Sequence, residues 1–148
     1  MKAKDIMTRE VITVTPEENV ETVAGILARN RISGVPVVDS AGRLVGVVTE
    51  NDLIVRAKNL HIPFYITLFD SIVFLENPRR FNRELKKFTA SRVEQIMTNQ
   101  VVTVDEETPV AEIASIMTEK AINRVPVMRD GRLVGIVTRN DIVRSLVK

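Results

Sequence analysis

The chain has 148 residues, 45% hydrophobic and 27% charged, with a formal net charge of +2; this ordinary globular balance fits one domain or two small interlocked halves. It has no cysteine, which excludes disulfides, thiolate metal ligands and cysteine nucleophiles and fits a reducing compartment. A pI of 9.1 on so small a net charge does not by itself argue for a nucleic-acid partner.

Taken in order, residues 1–7 carry no apolar signal core, so a soluble cytoplasmic chain is the expectation. Residues 11–14, Val-Ile-Thr-Val, form a short β-branched run that reads as a strand. Val20, Val23, Ala24 and Leu27 follow at helical spacing and give one buried face. That helix is expected to begin near Glu18 or Asn19 rather than at Thr15-Pro16. Residues 35–39 and 43–48 read as two strands around Ser40-Ala41-Gly42. Residues 46–52, Gly-Val-Val-Thr-Glu-Asn-Asp, then run straight into a second helix.

Residues 57–92 break the pattern. Every aromatic of the chain lies there (Phe64, Tyr65, Phe69, Phe74, Phe81 and Phe88), as does the single histidine, His61, in an apolar neighbourhood. Residues 62–75 are the longest apolar stretch, broken by Asp70 and shorter than the ~20 residues of a spanning helix. The part from 65 to 75 is apolar on nearly all sides and is expected to be helical and covered by something. Asn77-Pro78 reads as N-cap and first residue of another helix, with Phe81, Leu85 and Phe88 on one face and Arg79, Arg83, Lys86 and Lys87 exposed. Such an insertion is either elaborated core or a subunit interface. Membrane-surface attachment fits less well, because Asp70 and Glu76 lie within or beside the apolar run.

From residue 93 the first pattern returns. Residues 6–39 align with 96–129, and 42–54 with 131–143, with one gap at Ala41 and nearly half of the paired positions identical; the chain is a duplication. Residues 101–104 repeat the first strand, and Val110, Ile113, Ala114 and Met117 repeat the helical face. Thr108-Pro109 is expected to supply that helix with its N-cap and first residue. Residues 125–128 and 132–137 flank a hairpin turn containing Asp130-Gly131. Residues 135–141, Gly-Ile-Val-Thr-Arg-Asn-Asp, open the last helix. Each unit is therefore β-α-β-β-α, a mixed α/β fold. A unit of about 50 residues is marginal alone, so the halves are expected to bury apolar faces against each other.

The chemistry these residues permit is narrow. One histidine, no cysteine and no close carboxylate cluster leave no metal-ligand spacing and no triad or dyad. No glycine fingerprint for nucleotide hydrolysis is present, and among enzymes only an unspecified carboxylate base remains open. The Thr-x-x-Asp of each heptapeptide forms a capping box as readily as a site: Thr49 with Asp52, and Thr138 with Asp141. The same geometry can also serve a ligand, since a helix N-terminus favours phosphate and a carboxylate can hold a ribose diol.

Two β-α-β-β-α units carrying Ile-Met-Thr, Val-Pro-Val and Gly-h-h-Thr-x-x-Asp (h apolar) resemble a tandem pair of cystathionine-β-synthase (CBS) domains. The likeness spans domain 1 (1–56) and domain 2 (93–148), and the 57–92 insertion is similar to the inter-repeat segment of some prokaryotic stand-alone CBS pairs. It implies pseudo-two-fold packing with two clefts for AMP, ADP, ATP or S-adenosylmethionine. The motif residues Asp52 and Asp141 would hold the ribose, with Thr49 and Thr138 beside ribose and phosphate. Ile32, Ser33 and Gly34, and Ile122, Asn123 and Arg124, would line the base and phosphate region. Thr108 and Arg139 complete the candidate set. With no aromatic in either repeat, adenine would lie between aliphatic side chains and backbone amides.

The copies differ in charge, with Arg124 and Arg139 where the first has Gly34 and Glu50. The pocket with Arg124 and Asp141 is therefore expected to prefer phosphorylated ligands, and the Asp52 pocket to bind weakly or favour adenosine or S-adenosylmethionine. The resemblance implies a non-catalytic sensor needing no cofactor, commonly a disc-like homodimer, that signals to a regulated protein. The rival readings are an interaction module with empty clefts and a nucleic-acid binder using Arg79, Arg80, Arg83, Lys86, Lys87 and Arg92.

Overall fold

A computed structural model describes residues 1–60 and 62–147. His61 and Lys148 lie outside the described residues, and the expectation about His61 lies outside with them. A short lead helix, α1 (Ala3–Ile6), opens the chain. Helix α2 (Val20–Asn30) starts where the spacing places it, because the Asn19 side chain accepts the Thr22 N–H at 2.8 Å. It buries Val20, Val23 and Leu27, each contributing roughly 1.5–3 kcal/mol. Strands β1 (Gly34–Val38) and β2 (Leu44–Thr49) pair antiparallel, and helix α3 (Glu50–Ala57) follows β2 directly. Their turn is held by Asp39, whose carboxylate accepts the Ala41 and Arg43 amides and the Arg43 side chain.

The insertion is only partly helical, which corrects the reading of 65–75. Strands β3 (Tyr65–Leu68) and β4 (Ser71–Phe74) form a hairpin around Phe69 and Asp70, both with positive φ. The β-branched and aromatic residues on either side of a two-residue turn favour this arrangement. Helix α4 (Arg79–Thr89) follows, one residue later than Asn77-Pro78 suggested; the Asn77 side chain caps the Arg79 amide at 3.0 Å.

The second repeat gives β5 (Val104–Asp105), α5 (Val110–Lys120), β6 (Arg124–Arg129), β7 (Arg132–Thr138) and α6 (Arg139–Ser145). The Asp130-Gly131 turn has both residues left-handed, at φ 50° and 78°. Two expectations are corrected here. The runs 11–14 and 101–104 are not full strands: only Val14 bridges to Val37, and only Val104–Asp105 pairs with β6. Val11 and Ile12, and Val101 and Val102, line open clefts instead of meeting a sheet partner. Thr108 is not the N-cap of α5, since Pro109 holds that position without a side-chain bond. The Thr108 hydroxyl closes the preceding turn, accepting the Asp105 N–H at 3.0 Å.

The two repeats interlock through their lead segments. One core gathers Val20, Val23, Val35, Val37 and Val48 with Val93 and Ile96; the other gathers Ile113, Val125, Val127 and Val137 with Ala3 and Met7. In sequence each repeat opens with its own lead segment, whereas in space each core takes its lead segment from the other repeat. Backbone bonds seal the exchange: Thr8 pairs both ways with Ile136, and Thr98 both ways with Val47, all at 2.9–3.0 Å. Among the described residues no helix is long and apolar enough to cross a membrane.

Candidate functional site

The exchange of lead segments sets out two clefts, each lined from both repeats. The smaller, about 550 Å³, is lined by Thr49, Asn51 and Asp52 of the first repeat and by Ile122, Asn123 and Arg124 of the second. The larger, about 1010 Å³, is lined by Thr138, Arg139 and Asn140 of the second repeat and by Ile32, Ser33 and Gly34 of the first. Both are in the range of small-molecule sites. The Thr-x-x-Asp motif of one copy therefore faces the tripeptide before Val-Pro-Val of the other. Within each copy the two are adjacent as well, the Glu50 N–H donating to the Ser33 carbonyl at 2.8 Å and the Arg139 N–H to that of Asn123 at 3.1 Å.

Local sequence explains each motif's posture. Thr49 Oγ accepts the Asp52 N–H at 3.2 Å while Asp52 Oδ2 accepts the Thr49 N–H at 2.9 Å. Thr138 and Asp141 form the same reciprocal box at 3.3 and 2.8 Å. Each box leaves one carboxylate oxygen for another partner, and here the copies diverge. Asp52 Oδ1 accepts the Thr98 hydroxyl at 3.2 Å. Asp141 Oδ1 is held in an ion pair by Arg144, and Asp141 is buried at 3% exposure.

The arginines divide differently from the sequence expectation. Arg124 lines both clefts and hydrogen-bonds Ser33 Oγ. Burial draws its pKa below the usual guanidinium value, while the charges of Glu50 and Asp52 oppose that shift. Its electrostatic partners thus belong to the first repeat's motif rather than to Asp141. Arg139 donates to Asn123 Oδ1 at 3.4 Å and, with Arg31, makes the larger cleft the more basic one.

Of the candidate residues, Thr49, Asp52, Ile122, Asn123 and Arg124 come together in the smaller cleft, and Ile32, Ser33, Gly34, Thr138 and Arg139 in the larger. Asp141, hydrogen-bonded to Thr138, lines neither cleft, and nor does Thr108; the Thr108 carbonyl accepts the Ala3 N–H at 2.8 Å. Sequence reasoning missed Thr8, Val11 and Ile12 in the larger cleft and Thr98, Val101 and Val102 in the smaller. The repeated Ile-Met-Thr was the signal for Thr8 and Thr98, since a landmark preserved in both copies points to a shared role. Among the described residues, no group of three or more His, Asp or Glu is placed to hold a metal ion.

The CBS-domain family profile matches residues 3–59 and 93–148. A CBS domain-containing protein of Dictyostelium discoideum is 30% identical over 146 residues, covering 98% of this chain and 90% of its own. Two solved structures share the fold and carry ligands. CBSX2 in complex with AMP is 26% identical with a TM-score of 0.74, over 99% of this chain and 96% of that one. The CBS domain pair of protein MJ0100, in complex with 5′-methylthioadenosine and S-adenosyl-L-methionine, is 30% identical with a TM-score of 0.71, over 99% and 96%.

Proposed function

The chain belongs to the CBS-domain family, and from that premise we propose that it is a non-catalytic cytoplasmic sensor binding adenosine-containing ligands in its two clefts. The observation that carries this reading is the crossed construction of each cleft, with a Thr-x-x-Asp motif opposite the residues before Val-Pro-Val. A carboxylate fixed by its own capping box is a preorganised acceptor for a ribose diol. Aliphatic side chains, Val11 and Ile12 in the larger cleft and Val101 and Val102 in the smaller, offer adenine an apolar surface in each. The ligands of the two similar structures, AMP in one and 5′-methylthioadenosine with S-adenosyl-L-methionine in the other, have adenosine in common.

The larger cleft sets Arg31, Arg124 and Arg139 against Glu10 and Glu50, a net positive lining that suits a phosphorylated ligand such as AMP, ADP or ATP. The smaller sets Asp52 and the shared Glu50 against Arg124 alone, and suits an uncharged or cationic adenosyl compound. Occupancy reaches a partner only if ligand favours one arrangement of the interlocked halves over another. Assembly as a homodimer through the insertion would provide such an arrangement.

Calorimetric titration of AMP, ATP and S-adenosylmethionine into wild type, Asp52→Ala and Asp141→Ala tests the reading. AMP and ATP are expected to lose most affinity in Asp141→Ala, and S-adenosylmethionine in Asp52→Ala. Equal losses for ATP in both variants would reject the division of labour, and no binding of any of the three to wild type would reject the function.

A further inference from the structure

The two clefts share one strongly basic side chain, and the sequence shows how that came about. Arg124 and Gly34 are counterparts in the duplication. In space the Arg124 guanidinium lies over Gly34: a Cβ there would stand 2.8 Å from its Nε, Cζ and Nη1. The bare glycine lets a single arginine lie across the seam, where it hydrogen-bonds Ser33 and lines both clefts. A second arginine at position 34 would give each cleft its own cation. Here there is one, with Glu50 on the same shared wall.

A guanidinium presents a planar fork that grips one phosphate at a time in its best geometry. Given clefts that bind adenosine compounds, a reading on which this rests, we propose that Arg124 makes the two clefts antagonistic toward phosphorylated ligands. A phosphate in the larger cleft, already favoured by Arg31 and Arg139, draws Arg124 to itself. The smaller cleft is then left with Asp52 and the shared Glu50 and no cation of its own, and these repel a second phosphate. A ligand without phosphate makes no demand on Arg124 and fills the smaller cleft unhindered. The chain thereby reads two adenosyl compounds of different charge together more readily than two copies of a charged one.

The test is calorimetric titration of the full chain with AMP and, separately, with 5′-methylthioadenosine, comparing wild type, Arg124→Gln and Arg124→Lys. Coupling between sites commonly spans 5–150-fold, and the first AMP equivalent is expected to weaken about tenfold in Arg124→Gln while the second is unchanged. Arg124→Lys, which keeps a cation, should recover part of that loss and shows that the effect is charge rather than misfolding. 5′-Methylthioadenosine, which carries no phosphate, should lose less affinity in either variant than the first AMP equivalent does. Equal weakening of both AMP equivalents, or of neither, overturns the shared cation while leaving the clefts as adenosine sites. Binding of neither compound to wild type overturns the adenosine reading itself and this inference with it.

Discussion

Arg144 closes over Asp141 in an ion pair that has no counterpart at Asp52, because Val55 occupies the matching position in the first repeat. The carboxylate is buried while the arginine side chain is 67% exposed, so the arginine can swing away. A ribose reaching Asp141 must displace it. A half-exposed pair of this kind holds at most about 1 kcal/mol after solvent screening. Arg144→Gln is therefore expected to raise AMP affinity in the larger cleft by up to about fivefold. Titration in an Asp52→Ala background reads that cleft alone, and weaker AMP binding would instead make Arg144 a phosphate contact.

The lead segment is tied to the second repeat by charge as well as by packing. Lys2 and Lys4 reach Glu107 at 2.5 and 2.6 Å, and these hydrogen bonds hold its carboxyl at about 2, below the ordinary 4.5. A carboxyl lowered in the folded state contributes stability above its unfolded pKa and loses it as pH falls through the folded value. The window is pH 4.5 down to about 2. The Ala3 and Lys4 amides bond Thr108 and Glu106, and their protection against hydrogen exchange, taken relative to the intrinsic rate at each pH, should fall across that window. In Glu107→Gln the protection should be lower at neutral pH and flatter with pH; an unaltered profile would free the arm from this anchor.

Gly46 and Gly135 owe their presence to the same exchange of lead segments. A Cβ on Gly46 would stand 2.6 Å from Met97 Sδ and 3.0 Å from the Thr98 carbonyl oxygen, and one on Gly135 would strike Met7 Sδ. The sulphur belongs to a flexible side chain, but the carbonyl belongs to backbone paired with Val47. Gly46→Ala is expected to cost about 1–3 kcal/mol by overpacking. Denaturant unfolding measures it, with Met97→Ala added to relieve the sulphur contact only. If the single variant is as stable as wild type, the lead segment is not held rigidly against β2.

These contacts mark the limit of what the sequence discloses. The duplication, the start of α2 at Asn19, the paired strands around Val-Pro-Val and the capping boxes are all local, carried by period, turn residues and Thr-x-x-Asp spacing. The crossing of the clefts is not, because Thr8 meets Ile136 and Arg124 meets Ser33 over separations no local pattern encodes. The hairpin in the insertion was obscured for another reason. A stretch that is apolar on both strand faces has no alternation, and Phe69 with Asp70 is an unusual pair for a left-handed turn.

That hairpin gives the last prediction. Every residue of β3 and β4 is exposed, with Leu68 at 49%, Ile72 at 61% and Phe74 at 52%. Tyr65 and Phe74 stack edge to face at 6.3 Å across the pair, but a two-stranded sheet with both faces wet is marginal in water. Its edges are free to pair, and a second copy offers the same edge and the same apolar face under two-fold symmetry. Changing Ile72 and Phe74 together to lysine places charge on one face while leaving α4, whose Phe88 packs on the first core, in place. Light scattering is expected to show a dimer for wild type and a monomer for the double variant, with circular dichroism of the repeats preserved. A wild-type monomer, or a dimer that survives both lysines, would move the contact away from the insertion.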